Sequence, residues 1–156
     1  MTEKLYYEDI AADDTWTSPA RTVTEADVVN FAAMTGDFNP LHVDKHFAEQ
    51  TPFGQRVAHG ILGLAWAAGL ASGHPPVKTA AFVAIRNWEF LKPIFFGDTV
   101  HVRTCVVGRS QNGRRTGRVQ WQLQVINQRD EITQQGTFET LVLCRQGQRR
   151  VQSQTG

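Results

Sequence analysis

The sequence predicts an α+β domain in which an antiparallel sheet is covered on one face by a single long apolar helix. Three observations predict it. Residues Val57 to Val77 carry no Lys, Arg, Asp or Glu, and within them Ile61 to Leu70 is continuously apolar. After Lys78 the hydrophobic period changes to two, as strands with one wet face require. Short polar turns, Asn112-Gly113 and Asn127 to Asp130, separate the alternating runs, and turns of that length join antiparallel strands.

The elements follow in order. Thr24 is placed to cap a first helix, and Glu25 and Asp27 sit in its first turn, where negative charge meets the positive end of the helix dipole. Val28, Phe31, Ala32 and Met34 recur at helical spacing, and Gly36 ends the helix. Asp37 to Val43 reads as a polar loop stiffened by Pro40. Asp44 then caps a short helix to about Gln50, and Thr51 to Gln55 reads as a turn. The apolar helix runs from about Gly60 to Ser72 and stops at Gly73 and the Pro75-Pro76 pair. Ala80–Leu91 opens a series of four consecutive strands. In the next, Val100, Val102, Thr104 and Val106 alternate with His101, Arg103 and Cys105. In the third, Val119, Trp121, Leu123 and Val125 alternate with Arg118, Gln120, Gln122 and Gln124. Thr137 to Cys144 is the last.

The chain has 156 residues, 41% hydrophobic and 20% charged, enough for one ordinary core. A single domain over residues 1–145 is expected, with residues 146–156, rich in Gln, Arg, Ser and Gly, as a frayed C-terminal tail. A net charge of +1 speaks against a self-repelling disordered chain and against a general nucleic-acid binder. The first residues are acidic where a signal peptide is basic, and the apolar run is half the ~20 residues a membrane span needs. Two cysteines, Cys105 and Cys144, fit a reducing compartment. The expectation is a cytoplasmic protein without nucleic-acid or membrane partners. Charge is uneven: residues 1–100 hold 7 basic and 12 acidic residues, residues 101–156 hold 9 arginines and 3 acids. The arginines read first as a solvated strand face and second as phosphate contacts.

Two short stretches carry chemistry. Asp37 and His42 lie five residues apart in the Pro40 loop, flanked by Phe31, Phe38, Leu41 and Val43. An acid and an imidazole in partly apolar surroundings can share a water and move protons at neutral pH, and burial makes a carboxylate a better base. The alternative is an Asx turn at Asp37 with His42 bonded to a carbonyl. His59-Gly60 begins the apolar helix, where unpaired N–H groups face out and glycine allows a substrate oxygen close to the backbone, which suits a developing oxyanion. The alternative there is close helix packing at Gly60 with His59 as a cap. A metal site built from His42, Asp44, His46 and His59 is disfavoured, because Pro40 and the cap at Asp44 put His42 outside the short helix.

The run Phe31-Ala32-Ala33-Met34-Thr35-Gly36-Asp37-Phe38-Asn39-Pro40-Leu41-His42-Val43-Asp44 resembles the hydratase signature of the MaoC-like family, the (R)-specific enoyl-CoA hydratases. Val57-Ala58-His59-Gly60-Ile61-Leu62 resembles the start of that family's central helix, and Phe90 to Val100 resembles its later strand-and-turn segment. The resemblance implies the hot-dog fold, a curved antiparallel sheet wrapped around a central helix, assembled as a homodimer or dimer of dimers. It implies catalytic roles for Asp37 and His42, which hold and activate water, and for Gly60, whose N–H receives the thioester oxygen. Phe38, Asn39, His59 and Trp66 are the candidate substrate-binding residues; Asn39 also shapes the loop, and Trp66 is expected to shorten the acyl pocket. No metal and no cofactor is implied, coenzyme A being part of an acyl-CoA thioester substrate. The reaction implied is hydration of a trans-2-enoyl-CoA to an (R)-3-hydroxyacyl-CoA, or its reverse. Family members often carry a serine two turns into the helix, where this chain has Ala68. Two other readings compete: a hot-dog acyl-CoA thioesterase, disfavoured by the absence of a carboxylate from Gly60 to Gly73, and a non-catalytic acyl-CoA-binding protein.

Overall fold

The computed structural model describes residues 3–145. Its elements are a short 3-10 turn (Tyr7–Asp9), β1 (Thr15–Thr17), β2 (Arg21–Thr22), α1 (Glu25–Thr35), α2 (Pro40–Val43), α3 (Lys45–Glu49), α4 (Gly60–Ala71), β3 (Thr79–Phe90), β4 (Thr99–Asn112), β5 (Thr116–Ile126) and β6 (Ile132–Leu143). The tail expected over residues 146–156 lies outside the described residues.

The sheet order is β1-β4-β5-β6-β3, with β2 also paired to β4, and every pair is antiparallel. The four long strands are therefore not a simple meander. β3 pairs with β6, while β4, which follows β3 in sequence, takes β1 and β5 as its neighbours. β1, β2 and the 3-10 turn are absent from the sequence expectation, since two or three residues are too few to show a period. β6 begins at Ile132, five residues before the expected start at Thr137. Both hairpin turns form as expected: Gly113 and Asp130 take the left-handed backbone that tight reversals need.

One face of the sheet is dry. Val119, Trp121, Leu123 and Val125 of β5 are buried beside Val100, Val102 and Val106 of β4. Leu62 and Ala67 of α4 pack into this layer, with Leu64, Trp66 and Leu70 half-buried against it. α4 makes its tightest approach at Gly63, where a Cβ would collide with the side-chain amide of Gln134. α1 is fixed by a reciprocal cap: Thr24 Oγ1 accepts from Asp27 N, and Asp27 Oδ2 accepts from Thr24 N at 2.9 Å.

The outer face holds one buried acid. Glu139 of β6 is 3% exposed; its carboxylate accepts from Arg86 Nε at 2.8 Å, Gln120 Nε2 at 3.0 Å and Arg118 Nη1 at 2.9 Å. The Arg86 guanidinium, then the Gln120 amide, hold its pKa down at about 2. A carboxylate whose pKa is lower folded than unfolded contributes stability above its ordinary value, and loses it as pH falls toward the folded value. The melting temperature of the wild-type chain is therefore expected to drop between about pH 4.5 and about pH 2, less steeply in Glu139→Gln. Parallel melting curves for the two proteins across that window would contradict this role.

Candidate active site

The site is assembled where α1 ends, α2 turns and α4 begins. Gly36, in the left-handed conformation, carries the chain out of α1 into Asp37. Asp37 Oδ1 accepts from Asn39 N at 3.2 Å, an Asx turn that leaves Oδ2 free. Asn39 in turn caps α2, its Oδ1 accepting from Leu41 N at 3.0 Å, and Pro40 takes the first helical position, where a missing N–H costs nothing. The stretch read from sequence as a loop thus contains one helical turn, and His42 lies on it.

That turn aims His42. Its Nδ1 lies 2.7 Å from Val57 O. A carbonyl only accepts, so Nδ1 carries the hydrogen and, in the neutral ring, Nε2 holds the free lone pair. The two alternatives open in the sequence are therefore joined: Asp37 forms an Asx turn and His42 bonds a carbonyl, and both arrangements serve to orient the functional atoms.

His59 sits underneath. It is 2% exposed, its Nε2 donates to Asp37 O at 2.9 Å, and its ring stacks on His42 with centroids 3.8 Å apart and planes tilted 29°. Phe31 closes the other side at 5.0 Å. His59 makes no side-chain cap for α4. Burial removes it from direct substrate contact, so the substrate-binding role expected for it becomes a supporting one. Its Nε2 is also 3.9 Å from Asp37 Oδ2, and donor atoms of Asp37, His42 and His59 all lie within 4.8 Å of one another. Groups at that separation suit a bridging water. His42 Nδ1 and His59 Nε2 both donate to main-chain carbonyls, which leaves each neutral ring its other nitrogen as the acceptor. Asp44 caps α3, and the exposed His46 faces Glu49 at 3.8 Å, so neither joins this group.

His42 and Gly60 open into one cavity of about 410 Å³, walled by Phe53, Phe90, Leu91 and Ile94. Gly60 is the first residue of α4, and its exposed N–H has no acceptor inside the helix. The Asp37 side chain is 53% exposed, so the apolar shielding expected from its sequence neighbours is not provided by this chain alone. Phe38 is 57% exposed. Trp66 is placed elsewhere: it packs against the core under the Arg21 guanidinium, 4.3 Å from ring centroid to Cζ, and walls neither this cavity nor a second one. That second cavity, about 260 Å³, lies between the C-terminal half of α4 and the sheet, against Ala68, Ala71, Phe82, Trp121, Phe138 and Thr140. The expected shortening of an acyl pocket by Trp66 therefore has no counterpart in the structure.

Sequence reasoning missed Gln134, which is 2% exposed and lines the first cavity. The signal was available in the strand phase: Phe138, Thr140 and Val142 face inward, and counting back by two brings Gly136 and Gln134 to the same face.

Comparison with known proteins gives a consistent set of matches. The family model for the MaoC like domain matches residues 10–129. The chain is 34% identical over 111 residues to a 3-hydroxybutyryl-CoA dehydratase of Methylorubrum extorquens, covering 71% of this chain and 69% of that protein. It is 44% identical over 103 residues to the protein MaoC of Klebsiella aerogenes, covering 65% of this chain but only 31% of that longer protein. Among solved structures, a MaoC-like dehydratase of Rhodospirillum rubrum superposes with a TM-score of 0.77 at 28% identity over 90% of this chain and 98% of that one. A Mycobacterium tuberculosis protein with a double hot-dog fold superposes with a TM-score of 0.74 at 22% identity, over 90% of this chain and 44% of that one. The sheet wrapped on α4 is thus the hot-dog fold.

Proposed function

Because the chain belongs to the MaoC-like domain family, we propose that it adds water to a trans-2-enoyl-CoA to give an (R)-3-hydroxyacyl-CoA, or runs the reverse dehydration. The observation that carries this reading is the single cavity that His42 and Gly60, the first residue of α4, both line, with Asp37 beside His42. Relatives named as hydratases and dehydratases support it.

The thioester oxygen is received by Gly60 N–H at the positive end of α4. A water is held between Asp37 and His42. One of its protons passes to His42 Nε2, and its oxygen bonds C3 of the acyl group. The C2–C3 π pair moves toward the thioester, forming an enolate whose oxygen rests on Gly60 N–H. The enolate collapses by taking a proton at C2 from the His42 imidazolium, which restores the dyad. Asp37 accepts the water's second hydrogen throughout and needs no burial for that task. Coenzyme A enters as part of the substrate, and the cycle uses no further cofactor. α4 carries no carboxylate to drive attack at the thioester carbon, which favours this reading over hydrolysis.

The assembly belongs to the same proposal. β3 pairs with β6 on one side, and no strand covers its other edge among the described residues. It is 12 residues long and leaves Phe82, Val83, Ile85 and Phe90 exposed. A long edge with exposed apolar side chains invites a second copy, and a symmetric pair would satisfy both. We assign a homodimer or dimer of dimers in the cytoplasm; no helix among the described residues is long and apolar enough to cross a membrane.

The wild-type chain is expected to consume the conjugated enoyl absorbance of crotonyl-CoA and to yield the (R)-alcohol. Asp37→Asn and His42→Ala should each lower kcat by about 10²–10⁴-fold while the fold and assembly persist. Near-wild-type turnover in either variant would remove the assigned mechanism, and tight CoA binding without any turnover by the wild type would favour the binding protein. Sedimentation should show a dimer or larger at micromolar concentration; a stable monomer would contradict the edge pairing.

A further inference from the structure

Gly60 combines two properties that work against each other. Glycine lets the substrate oxygen close to the backbone, but it is also the residue least able to hold its own peptide planes in place. It lies at the exposed start of α4, and His59 supplies no side-chain cap there. The helix holds only one of the two peptide planes that meet at Gly60 from its own first turn: the His59 carbonyl, coplanar with Gly60 N–H, accepts from Leu62 N at 3.1 Å.

The structure holds one polar contact suited to the other plane. Gln134 Nε2, from β6, donates to Gly60 O at 3.0 Å. The Gly60 carbonyl is coplanar with Ile61 N–H, while Gly60 N–H shares its plane with the His59 carbonyl; with that plane held by the helix, fixing the Gly60 carbonyl fixes the second plane and so locks the Gly60 torsions between them. Gln134 is itself oriented. Its Oε1 accepts from Trp88 Nε1 at 3.2 Å, which settles which end of the amide faces the helix. Trp88 reaches inward because β3 is irregular there: the register shifts between Arg86 and Glu89, and Asn87 takes a left-handed backbone at φ 50°. The surrounding glycines accommodate the arrangement. A Cβ at Gly136 would lie 2.6 Å from Trp88 Cε3, and a Cβ at Gly63 would collide with the Gln134 amide. The Phe90 ring covers Gly60 from the side, 3.0 Å from where a Cβ would stand.

We infer that Gln134, oriented by Trp88, is a positioning residue that aims the Gly60 N–H at the substrate oxygen, by bonding the Gly60 carbonyl. The inference rests on the hydratase reading of the same site. A purely structural Gln134 would contribute to melting temperature alone. A positioning Gln134 acts on the transition state, where the enolate oxygen carries more charge than the ground-state carbonyl, and so moves kcat more than KM.

The test uses the full chain and three proteins: wild type, Gln134→Leu, which keeps most of the volume and removes the amide, and Trp88→Phe, which removes the indole N–H. Each is melted and assayed on crotonyl-CoA. Gln134→Leu should melt cooperatively and lose at least about tenfold in kcat, short of the ~10²–10³-fold cost of deleting an oxyanion donor itself, with KM changed less than about threefold. Trp88→Phe should shift kcat in the same direction by less. An active wild type with a folded Gln134→Leu that keeps its kcat would overturn the inference and leave the hydratase reading standing. If Gln134→Leu does not fold, Trp88→Phe decides: reduced kcat at unchanged KM supports the role, and unchanged kcat overturns it. A wild type that hydrates no enoyl-CoA would overturn the hydratase reading, and this inference with it.

Discussion

A buried imidazole ties the two halves of the site together. His59 ends the segment that leads into α4, donates to the main-chain oxygen of Asp37, and stacks on His42. The backbone of Asp37, the plane of the His42 ring and the start of α4 are thereby referred to one rigid side chain. Stacking and a buried hydrogen bond are short-range and directional, so the geometry is set before any substrate arrives. Polar groups aimed beforehand at developing charge need no reorganisation during reaction, which is where much of the catalytic advantage of such sites lies.

The sheet makes that arrangement possible. α4 has no charged residue and lies on the inner face of the long strands, so its direction is fixed by packing along β4 and β5. Close approach is achieved with glycine: Gly63 admits the Gln134 amide and Gly136 admits the Trp88 ring. The same close packing leaves the N-terminal turn of α4 against a cavity that Gln134, hydrogen-bonded to Gly60 O, also lines. An exposed helix start with its free N–H groups is thus held by the core and offered to a ligand.

Much of this was legible in the sequence for physical reasons. A charge-free run bounded by Gly73 and two prolines has few alternatives to a buried helix, and Val119 to Val125 alternate too regularly to be anything but a half-dry strand. Asp37, His42 and Gly60 stand in short motifs, and the structure brings Asp37 beside His42 and sets His42 and Gly60 on one cavity. The crossover of β3 to β6 was not legible, since local periodicity carries no information on which strands become neighbours. The one-turn helix at Pro40 was hidden by its length. The burial of His59 was not legible, because it comes from the Phe31 and His42 rings packing against it. Gln134 was overlooked because it precedes the strand expected from Thr137, and only the phase set by Phe138, carried back past that start, places it inside.

In the proposed reaction water is delivered to C3 of an enoyl thioester while α4 holds the carbonyl oxygen, and the route of the oxygen atom reports whether it is. Crotonyl-CoA turned over in ¹⁸O-water should give 3-hydroxybutyryl-CoA with the label in the C3 hydroxyl, the thioester intact and no free thiol. Label found in the carboxylate of a free acid, with one thiol released per label, would mean attack at the carbonyl carbon and would contradict the account.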